Sequence, residues 1–316
     1  MTISPGGRIA WNIVSSYSKS EWDAYGAEMT KRAGRYERME EYMEVCYKLW
    51  DSWQPDAIVA DRGAGIFADP VKVHEVNHVG EFFRCKGRSF VFRSPQGYPV
   101  LWQAGSSDRG RDFAAKHAEA IFAVHPNVQR MREYTDDLNL RLQTRFGRQP
   151  NSVKRIYGVQ TVVGVTRGEA QEKYERIRNV SLWKGRWPGS LVISVRIFRS
   201  MIRTKLSRIS KYPESTGLFE SIIYAKGGAP VTVHEAAKVY AEGMGMPRLV
   251  GTSSDIADQL EVFIDEGGAD GFMLAATYTP GCFEEFVDLV VPELQRRGRF
   301  RTRYRGSTLR EHLLEE

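Results

Sequence analysis

Short apolar segments alternate with amphipathic ones along most of this chain of 316 residues. The opening segment GGRIAWNIVSS (residues 6–16) takes its apolar content from Ile9, Trp11, Ile13 and Val14 and ends in two serines, as a strand does where it leaves a sheet. Four later segments are also predicted strands: YPVLWQAG (98–105), EAIFAVH (119–125), VKRIYGVQTVVG (153–164) and DGFMLAAT (270–277). Segments with helical spacing of apolar residues lie between them. This alternation predicts an α/β fold with a parallel sheet.

Polar residues mark where several helices begin. Ser106 or Ser107 is the predicted N-cap of the helix in SSDRGRDFAAKHA, because a serine oxygen accepts a hydrogen bond from the first turn. Thr166, with Glu169 three residues later, has the capping-box pattern. Ser254 is the predicted N-cap of a helix near the C-terminus.

Two stretches interrupt the alternation, at about 56–97 and 181–247, and we interpret them as insertions in a single domain that spans 1–316. The five predicted strands are fewer than the eight that close a β/α barrel. We expect neither a membrane span nor a signal peptide. The three cysteines are far apart, which argues against a disulfide framework and favours a reducing cytoplasm.

A basic segment leaves nucleic-acid binding open. The net charge is +6, and much of the excess lies in RRGRFRTRYRGSTLR (296–310), where arginines alternate with Phe300 and Tyr304. Such interleaving is typical of a nucleic-acid groove. The alternative is a solvated segment whose arginines pair with acidic surface groups. The second interpretation is favoured, because no nucleic-acid-binding motif accompanies the cluster.

Several long segments carry a resemblance to a known family. They are GGRIAWNIVSS, GRYERMEEYMEVCYKLWDSW (34–53), SPQGYPVLWQAGSSDRGRDFAAKHAEAIF (94–122), VGTSSDIADQLEVFIDEGGADGF (250–272) and FVDLVVPELQRRGRFRTRYRGSTLREHL (286–313). Together they resemble the flavin-dependent monooxygenases of the bacterial luciferase-like superfamily, in the nitrilotriacetate, dibenzothiophene-sulfone and long-chain alkane monooxygenase branch. The resemblance covers nearly the whole chain in order. It implies a partial (β/α)8 TIM barrel whose opening strand is the fourth, so we expect roughly strands 4–8 without the three N-terminal β/α units.

The resemblance also implies an activity. It implies a two-component FMNH2-dependent monooxygenase, in which an NAD(P)H:flavin reductase supplies reduced FMN and O2 forms a flavin peroxide intermediate that oxygenates a small organic or xenobiotic substrate. It further implies a homodimer with neither nucleic acid nor membrane as a partner. The alternative is an inactive or complementation-dependent fragment of such an enzyme, whose open barrel would expose unpaired strand edges. The substrate and the catalytic residues stay unknown.

The segment QAGSS carries the predicted phosphate site. Its strand, small turn and helix start place the backbone N–H groups of Gly105, Ser106 and Ser107 at the positive end of a helix. By itself such a turn is more often only a capped helix. The resemblance implies that these serines bind the FMN phosphate.

The resemblance adds further cofactor-binding residues. Tyr36 matches a family tyrosine that reaches the same phosphate, with a half-buried helix aromatic as the alternative. Arg32 stands where the family commonly has histidine, and arginine suits a phosphate. Asn12, Ser15 and Ser16 close the opening strand at the end where barrel sites form, with simple strand-end capping as the alternative.

The histidines point to no further site. His74 and His78 are four residues apart in a segment that is predicted to be extended, so no metal site is predicted. His125 is isolated in the sequence, and a structural or surface role is the default for it.

Overall fold

The computed structural model describes residues 6–15, 19–26, 32–105, 107–181, 243 and 245–314. The chain divides into two compact units. The first unit comprises Met1–Gln103 and Tyr304–Glu316, and the second comprises Ala104–Arg303. Most of the predicted insertion at 181–247 lies outside the described residues. The boundaries of a single domain with two insertions stay a prediction.

The first unit pairs its opening strand with a later one. Its elements before residue 104 are β1 (Ala10–Ile13), α1 (Lys19–Ala24), α2 (Arg32–Asp51), β2 (Ile58–Asp61), β3 (Ile66–Ala68), a 3-10 turn (Pro70–Lys72), β4 (Val76–Val79), β5 (Arg84–Gly87) and β6 (Val100–Gln103). Strands β1 and β6 are parallel. The stretch predicted as the first insertion contains two antiparallel hairpins, β2–β3 and β4–β5.

One carboxylate holds the second hairpin against α2. Glu41 accepts hydrogen bonds from the backbone N–H groups of Phe82 at 2.8 Å and Phe83 at 2.7 Å. It also lies 3.1 Å from Nε2 of the buried His78. A Cβ atom on Gly80 would collide with the Glu41 carboxylate, so a larger residue in this turn would displace that carboxylate from its present position.

The second unit is built on parallel strands. Its elements are α3 (Asp108–His117), β7 (Ala120–Ala123), α4 (Val128–Phe146), β8 (Lys154–Val163), α5 (Arg167–Ser181), β9 (Arg248–Gly251), α6 (Ser253–Asp265), β10 (Gly271–Leu274), α7 (Gly281–Glu285), a π-helical turn (Phe286–Val290) and α8 (Val291–Arg296). Strand β8 pairs in parallel with β7, β9 and β10. The predicted α/β fold with parallel strands is confirmed.

Two apolar clusters of buried side chains form the core of this unit. The first includes Ile121, Met131, Leu138, Leu142 and Tyr157. The second includes Val159, Val163, Leu249, Ile256, Leu260 and Val290. Both use side chains of β8, so this strand contributes to the core along most of its length.

Two of the three predicted helix caps are confirmed. Ser107 accepts a hydrogen bond from Gly110 N at 3.0 Å, and Thr166 accepts one from Glu169 N at 3.2 Å. The prediction for Ser254 is wrong, because the helix begins at Ser253 and Thr252 is its N-cap. The Thr252 hydroxyl accepts from Asp255 N, and the Asp255 carboxylate accepts from Thr252 N at 3.0 Å. This reciprocal capping box fixes the start of α6 one turn before Asp255.

The basic segment pairs with acidic side chains over its first part. Arg297 donates to Asp258 at 2.6 Å and to Glu261 at 2.9 Å, and Arg299 donates to Asp265 at 2.6 Å. These acidic partners lie on α6, so the arginines tie the end of the unit to that helix. The favoured interpretation of this stretch, ion pairing with acidic groups, is confirmed for these residues.

The last helix, α9 (Leu309–Leu314), belongs to the first unit. Arg310 donates to the carbonyl oxygens of Gln96, Tyr98 and Pro99 and lies over the Tyr98 ring. This arginine therefore has a structural role in the first unit. Over the described part of the chain, the helices are all too short or too polar to cross a membrane.

A buried arginine joins α3 to α4 in the second unit. Arg141 on α4 is 5% exposed. Its guanidinium donates to Asp108 at 2.5 Å, to Asp112 at 2.7 Å and to Asp137 at 2.7 Å. Because Asp108 and Asp112 lie on α3, the ion pairs fix the two helices against each other.

We expect Arg141→Met to lower the free energy of unfolding by about 2–3 kcal/mol, because it leaves three carboxylates without their shared cation. Urea unfolding measures the change. Arg145→Met is the matched control, since Arg145 is half exposed and also pairs with Asp112, and we expect a loss below about 1 kcal/mol. Equal losses for the two variants would contradict this account of Arg141.

Candidate functional site

The turn that precedes α3 has the polar groups of an anion site. Ser107 is the N-cap and Asp108 the first helical residue. The first N–H groups of a helix have no partner within it, and together with the helix dipole they make this end positive. The Ser107 hydroxyl uses one acceptor position on Gly110 N. Ser107 therefore lies at the start of α3, and Gly105 lies two residues before it.

A buried tyrosine holds the turn in place. The Tyr134 hydroxyl on α4 donates to the carbonyl oxygen of Gly105 at 3.2 Å. Burial raises the pKa of this phenol well above its usual range, so the hydroxyl keeps its proton and remains a donor. The Gly105 carbonyl is thereby directed at Tyr134.

The charges around the turn favour an anion. Asp108 alone would repel one, but Arg141 lies 2.5 Å and Arg111 3.9 Å from its carboxylate. The hydrogen bond from Arg141 lowers the pKa of Asp108, despite the opposing effect of burial. Arg109 is exposed in the same helical turn. Backbone N–H groups, hydroxyls and guanidinium groups are the donors that phosphate esters bind, so this donor set fits the phosphate of FMN.

The predicted site residues of the first unit lie on two elements. Asn12 is exposed on β1, and Ser15 is half-buried two residues beyond the end of that strand. Tyr36 is half-buried in α2, and Arg32 is the first residue of the same helix. The side chain of Arg32 and the whole of Ser16 and Ser106 lie outside the described residues. The cofactor-binding roles of all these residues stay predictions.

His125 is a candidate that the sequence analysis missed. It lies two residues beyond the carboxyl end of β7, at the end of a parallel strand where β/α sites form. Its ring centroid lies 4.9 Å from that of Tyr134 and 5.7 Å from that of Tyr157. Its Nε2 atom is buried and has no hydrogen-bond partner among the described residues. The position of EAIFAVH at a strand end was the signal that could have identified it.

The environment of His125 keeps the imidazole neutral. Burial lowers its pKa to about 4, and the positive charges of Arg130 and Arg111 act in the same direction. The rings of Tyr134 and Tyr157 also face the imidazole, and burial raises the pKa of both phenols. A neutral histidine has one donor and one acceptor nitrogen, so it suits an uncharged polar partner. In the described ranges, His, Cys, Asp and Glu form no group of three or more that could hold a metal ion.

The fold and the candidate site define a parallel β/α protein with hydrogen-bond donors at the N-terminus of one helix. The comparisons with known proteins specify the family. The model of the luciferase-like monooxygenase family matches residues 3–271. The dibenzothiophene-sulfone monooxygenase of Rhodococcus erythropolis is 38% identical over 317 residues, which cover 98% of this chain and 69% of that protein. Nitrilotriacetate monooxygenase component A of Aminobacter aminovorans is 35% identical over 316 residues, covering 97% and 68%.

A solved structure agrees with these relatives. The crystal structure of a riboflavin lyase with modified FMN and riboflavin has a TM-score of 0.82 and 32% identity, covering 98% of this chain and 68% of that one. This chain belongs to the luciferase-like monooxygenase family. The resemblance stated from the sequence is confirmed. The chain spans about two thirds of the length of the curated relatives it matches.

We expect the stability of the protein to fall as the pH is lowered from about 6.5 to about 4, in part through His125. The folded-state pKa of about 4 lies below the ordinary value of 6.5, so the unfolded chain binds more protons in this window. The contribution of His125 is fully present above pH 6.5 and is lost on the way to pH 4, by up to about 3 kcal/mol.

Urea unfolding of His125→Gln at pH 7, 5.5 and 4.5 measures this contribution. The variant should lose less stability than the wild type as the pH falls. The exposed His74 provides the matched control, because His74→Gln removes a histidine outside this cluster. A pH dependence of His125→Gln equal to that of the wild type would show that His125 does not titrate in this window.

Proposed function

We propose that this chain is the oxygenating component of a two-component monooxygenase that uses reduced FMN and O2 to oxygenate a small organic substrate. Membership in the luciferase-like monooxygenase family supports this activity. The single observation that carries the proposal is the N-terminus of α3, where Ser107 and the first-turn N–H groups offer donors to an anion and Arg141 neutralises Asp108.

The chain's own residues would hold and shield the cofactor. Gly105, Ser106 and Ser107 would bind the phosphate through backbone N–H groups and hydroxyls. The bound cofactor supplies two electrons, so that one oxygen atom of O2 enters the substrate and the other leaves as water. The protein must bind the phosphate, orient the ring and exclude water from it. Tyr36, Arg32, Asn12, Ser15 and Ser16 are further proposed cofactor-binding residues, on the strength of the resemblance.

The names of two similar proteins support FMN as the cofactor and a flavin reductase as the partner. The riboflavin lyase structure contains modified FMN, which favours FMN as the flavin bound by this chain. Nitrilotriacetate monooxygenase component A is named as one part of a system, which favours a separate NAD(P)H:flavin reductase as the source of reduced FMN. Assembly as a homodimer is also part of the proposal.

We expect Ser106→Ala and Ser107→Ala each to weaken FMN binding by about tenfold, because each removes a hydroxyl next to the phosphate. Riboflavin has no phosphate, so its affinity should change by less than about twofold. Titration of flavin fluorescence with protein measures both affinities. The preference for FMN over riboflavin should therefore fall in each variant.

Thr166→Ala is the matched control, since Thr166 caps α5 in the same way as Ser107 caps α3. Thr166→Ala should leave the affinities for FMN and riboflavin unchanged. It should lower the stability of its helix about as much as Ser107→Ala lowers that of α3. If the wild-type chain binds FMN and riboflavin equally well, the phosphate site assigned to α3 is wrong. If the wild type binds neither, the proposed function fails.

A further inference from the structure

Tryptophan and tyrosine rings of the first unit pack in a continuous chain, which we call the ring chain. The ring centroid of Trp11 on β1 lies 6.0 Å from that of Tyr42 and 6.1 Å from that of Trp50, both on α2. Trp50 stacks on Tyr98, with 5.2 Å between the centroids and 14° between the ring planes. Tyr47 lies 5.8 Å from Trp50 and 5.8 Å from Tyr98. Rings at these separations are direct neighbours, so all the members of the ring chain are connected.

Packing alone does not require this composition. Phenylalanine rings would fill the same space without the cost of desolvating an indole N–H or a phenol. Tryptophan and tyrosine, in contrast, are the aromatic side chains from which an oxidant most readily removes a single electron. Because each ring of the chain touches another oxidisable ring, an electron vacancy on one of them can be refilled from the next.

The two ends of the ring chain differ in charge and in exposure. The guanidinium of Arg310 lies over the Tyr98 ring, 5.0 Å from its centroid, and its positive charge opposes the loss of an electron from that ring. Tyr42 is 43% exposed, so water can accept the proton that its oxidised phenol releases. Loss of this proton favours the oxidation of tyrosine by a tryptophan radical at neutral pH. The vacancy should therefore collect on Tyr42.

A thiol lies next to the Tyr42 end. Cys46 follows Tyr42 by one turn of α2, and a hydrogen bond joins the two side chains. Burial raises the pKa of the Cys46 thiol to about 11, and the hydrogen bond with Tyr42 opposes this rise only in part. The sulfur therefore keeps its hydrogen at neutral pH. A thiol in this state can give a hydrogen atom to a phenoxyl radical.

We propose that the ring chain carries oxidising equivalents to Tyr42 and Cys46, where a small thiol in solution removes them. A one-electron oxidant first takes an electron from Trp11 or Trp50. An electron from Tyr42 refills the indole, and the phenol proton passes to water, which leaves a phenoxyl radical. Cys46 gives this radical its S–H hydrogen atom, and the solution thiol restores Cys46 by giving up its own. The net change is one electron to the oxidant, one proton to water and one thiyl radical on the solution thiol.

This path protects the aromatic side chains of the first unit from irreversible oxidation. A protein in which O2 meets a reduced flavin is exposed to one-electron oxidants derived from partly reduced oxygen. Only this source of the oxidant rests on the proposed function. The contacts of the ring chain lie within the first unit and do not depend on a bound flavin.

Pulse radiolysis of the full chain tests the path, with azide radicals as the oxidant, because these radicals oxidise tryptophan in preference to tyrosine. In the wild type, the absorption of tryptophan radicals should decay while that of tyrosine radicals grows. The rate should be independent of the protein concentration, since the transfer is intramolecular. A rate that rises in proportion to the protein concentration would overturn the proposal without the use of any variant.

A nitroso spin trap, followed by peptide mass spectrometry, shows where the radical ends. Adducts on Tyr42 and Cys46 together should exceed those on Tyr25, although Tyr25 is 89% exposed. Trp11→Phe keeps a ring in place but breaks the link between Trp50 and Tyr42, so it should reverse this order. Trp53→Phe is the matched control, because Trp53 packs on Phe92 outside the ring chain, and it should preserve the wild-type order.

Cys46→Ser tests the last step, with dithiothreitol as the solution thiol. The tyrosine radical should persist longer in this variant than in the wild type, because serine cannot give up its hydroxyl hydrogen atom as readily. An equal decay in the two proteins would overturn the assignment of Cys46 as the hydrogen-atom donor.

The remaining outcomes separate this proposal from the proposed function. More adduct on Tyr25 than on Tyr42 and Cys46 in the wild type, or the same distribution in Trp11→Phe as in the wild type, would overturn the path through Trp11. None of these measurements requires a flavin. A chain that binds neither FMN nor riboflavin would therefore fail the proposed function and still show transfer along the ring chain.

Discussion

The backbone hydrogen bonds of β8 hold the second unit together. This strand pairs in parallel with β7, β9 and β10, and every residue from Tyr157 to Val163 is buried. A buried N–H or C=O group without a partner is costly, so the three neighbouring strands are held in fixed register. As a consequence the end of β7, with His125, lies beside Tyr157, and the helix that follows β7 brings Tyr134 to the Gly105 carbonyl. The scaffold and the candidate site thus depend on the same strand.

Some buried polar groups of the candidate site have hydrogen-bond partners, and one has none among the described residues. Ser107, Tyr134 and Arg141 have partners that fix the turn, the helix start and the charge of Asp108. His125 keeps a buried ring nitrogen without a partner among the described residues. Apolar packing can hold such a group in place, but it cannot supply the missing hydrogen bond. The His125 nitrogen is therefore a position where a polar partner, either a ligand or an ordered water, would be stabilised.

Local patterns in the sequence predicted the parallel strands and the caps at Ser107 and Thr166, because strand alternation and capping depend on residues a few positions apart. The cap at Ser254 was predicted wrongly, since Thr252 and Ser254 are both good caps and only the reach of Asp255 decides between them. The unpartnered nitrogen of His125 could not be predicted. It depends on contacts with Tyr134 and Tyr157, which are far apart in sequence, and a single sequence does not contain such contacts.

A crystal structure of the chain with bound FMN tests the central claim most directly, because it shows which donors hold the phosphate. The account predicts phosphate oxygens within hydrogen-bond distance of the backbone nitrogens of Ser107 and Asp108, at the positive end of α3. A structure in which FMN is bound with its phosphate at another place, and with the N-terminus of α3 free of it, would contradict the account.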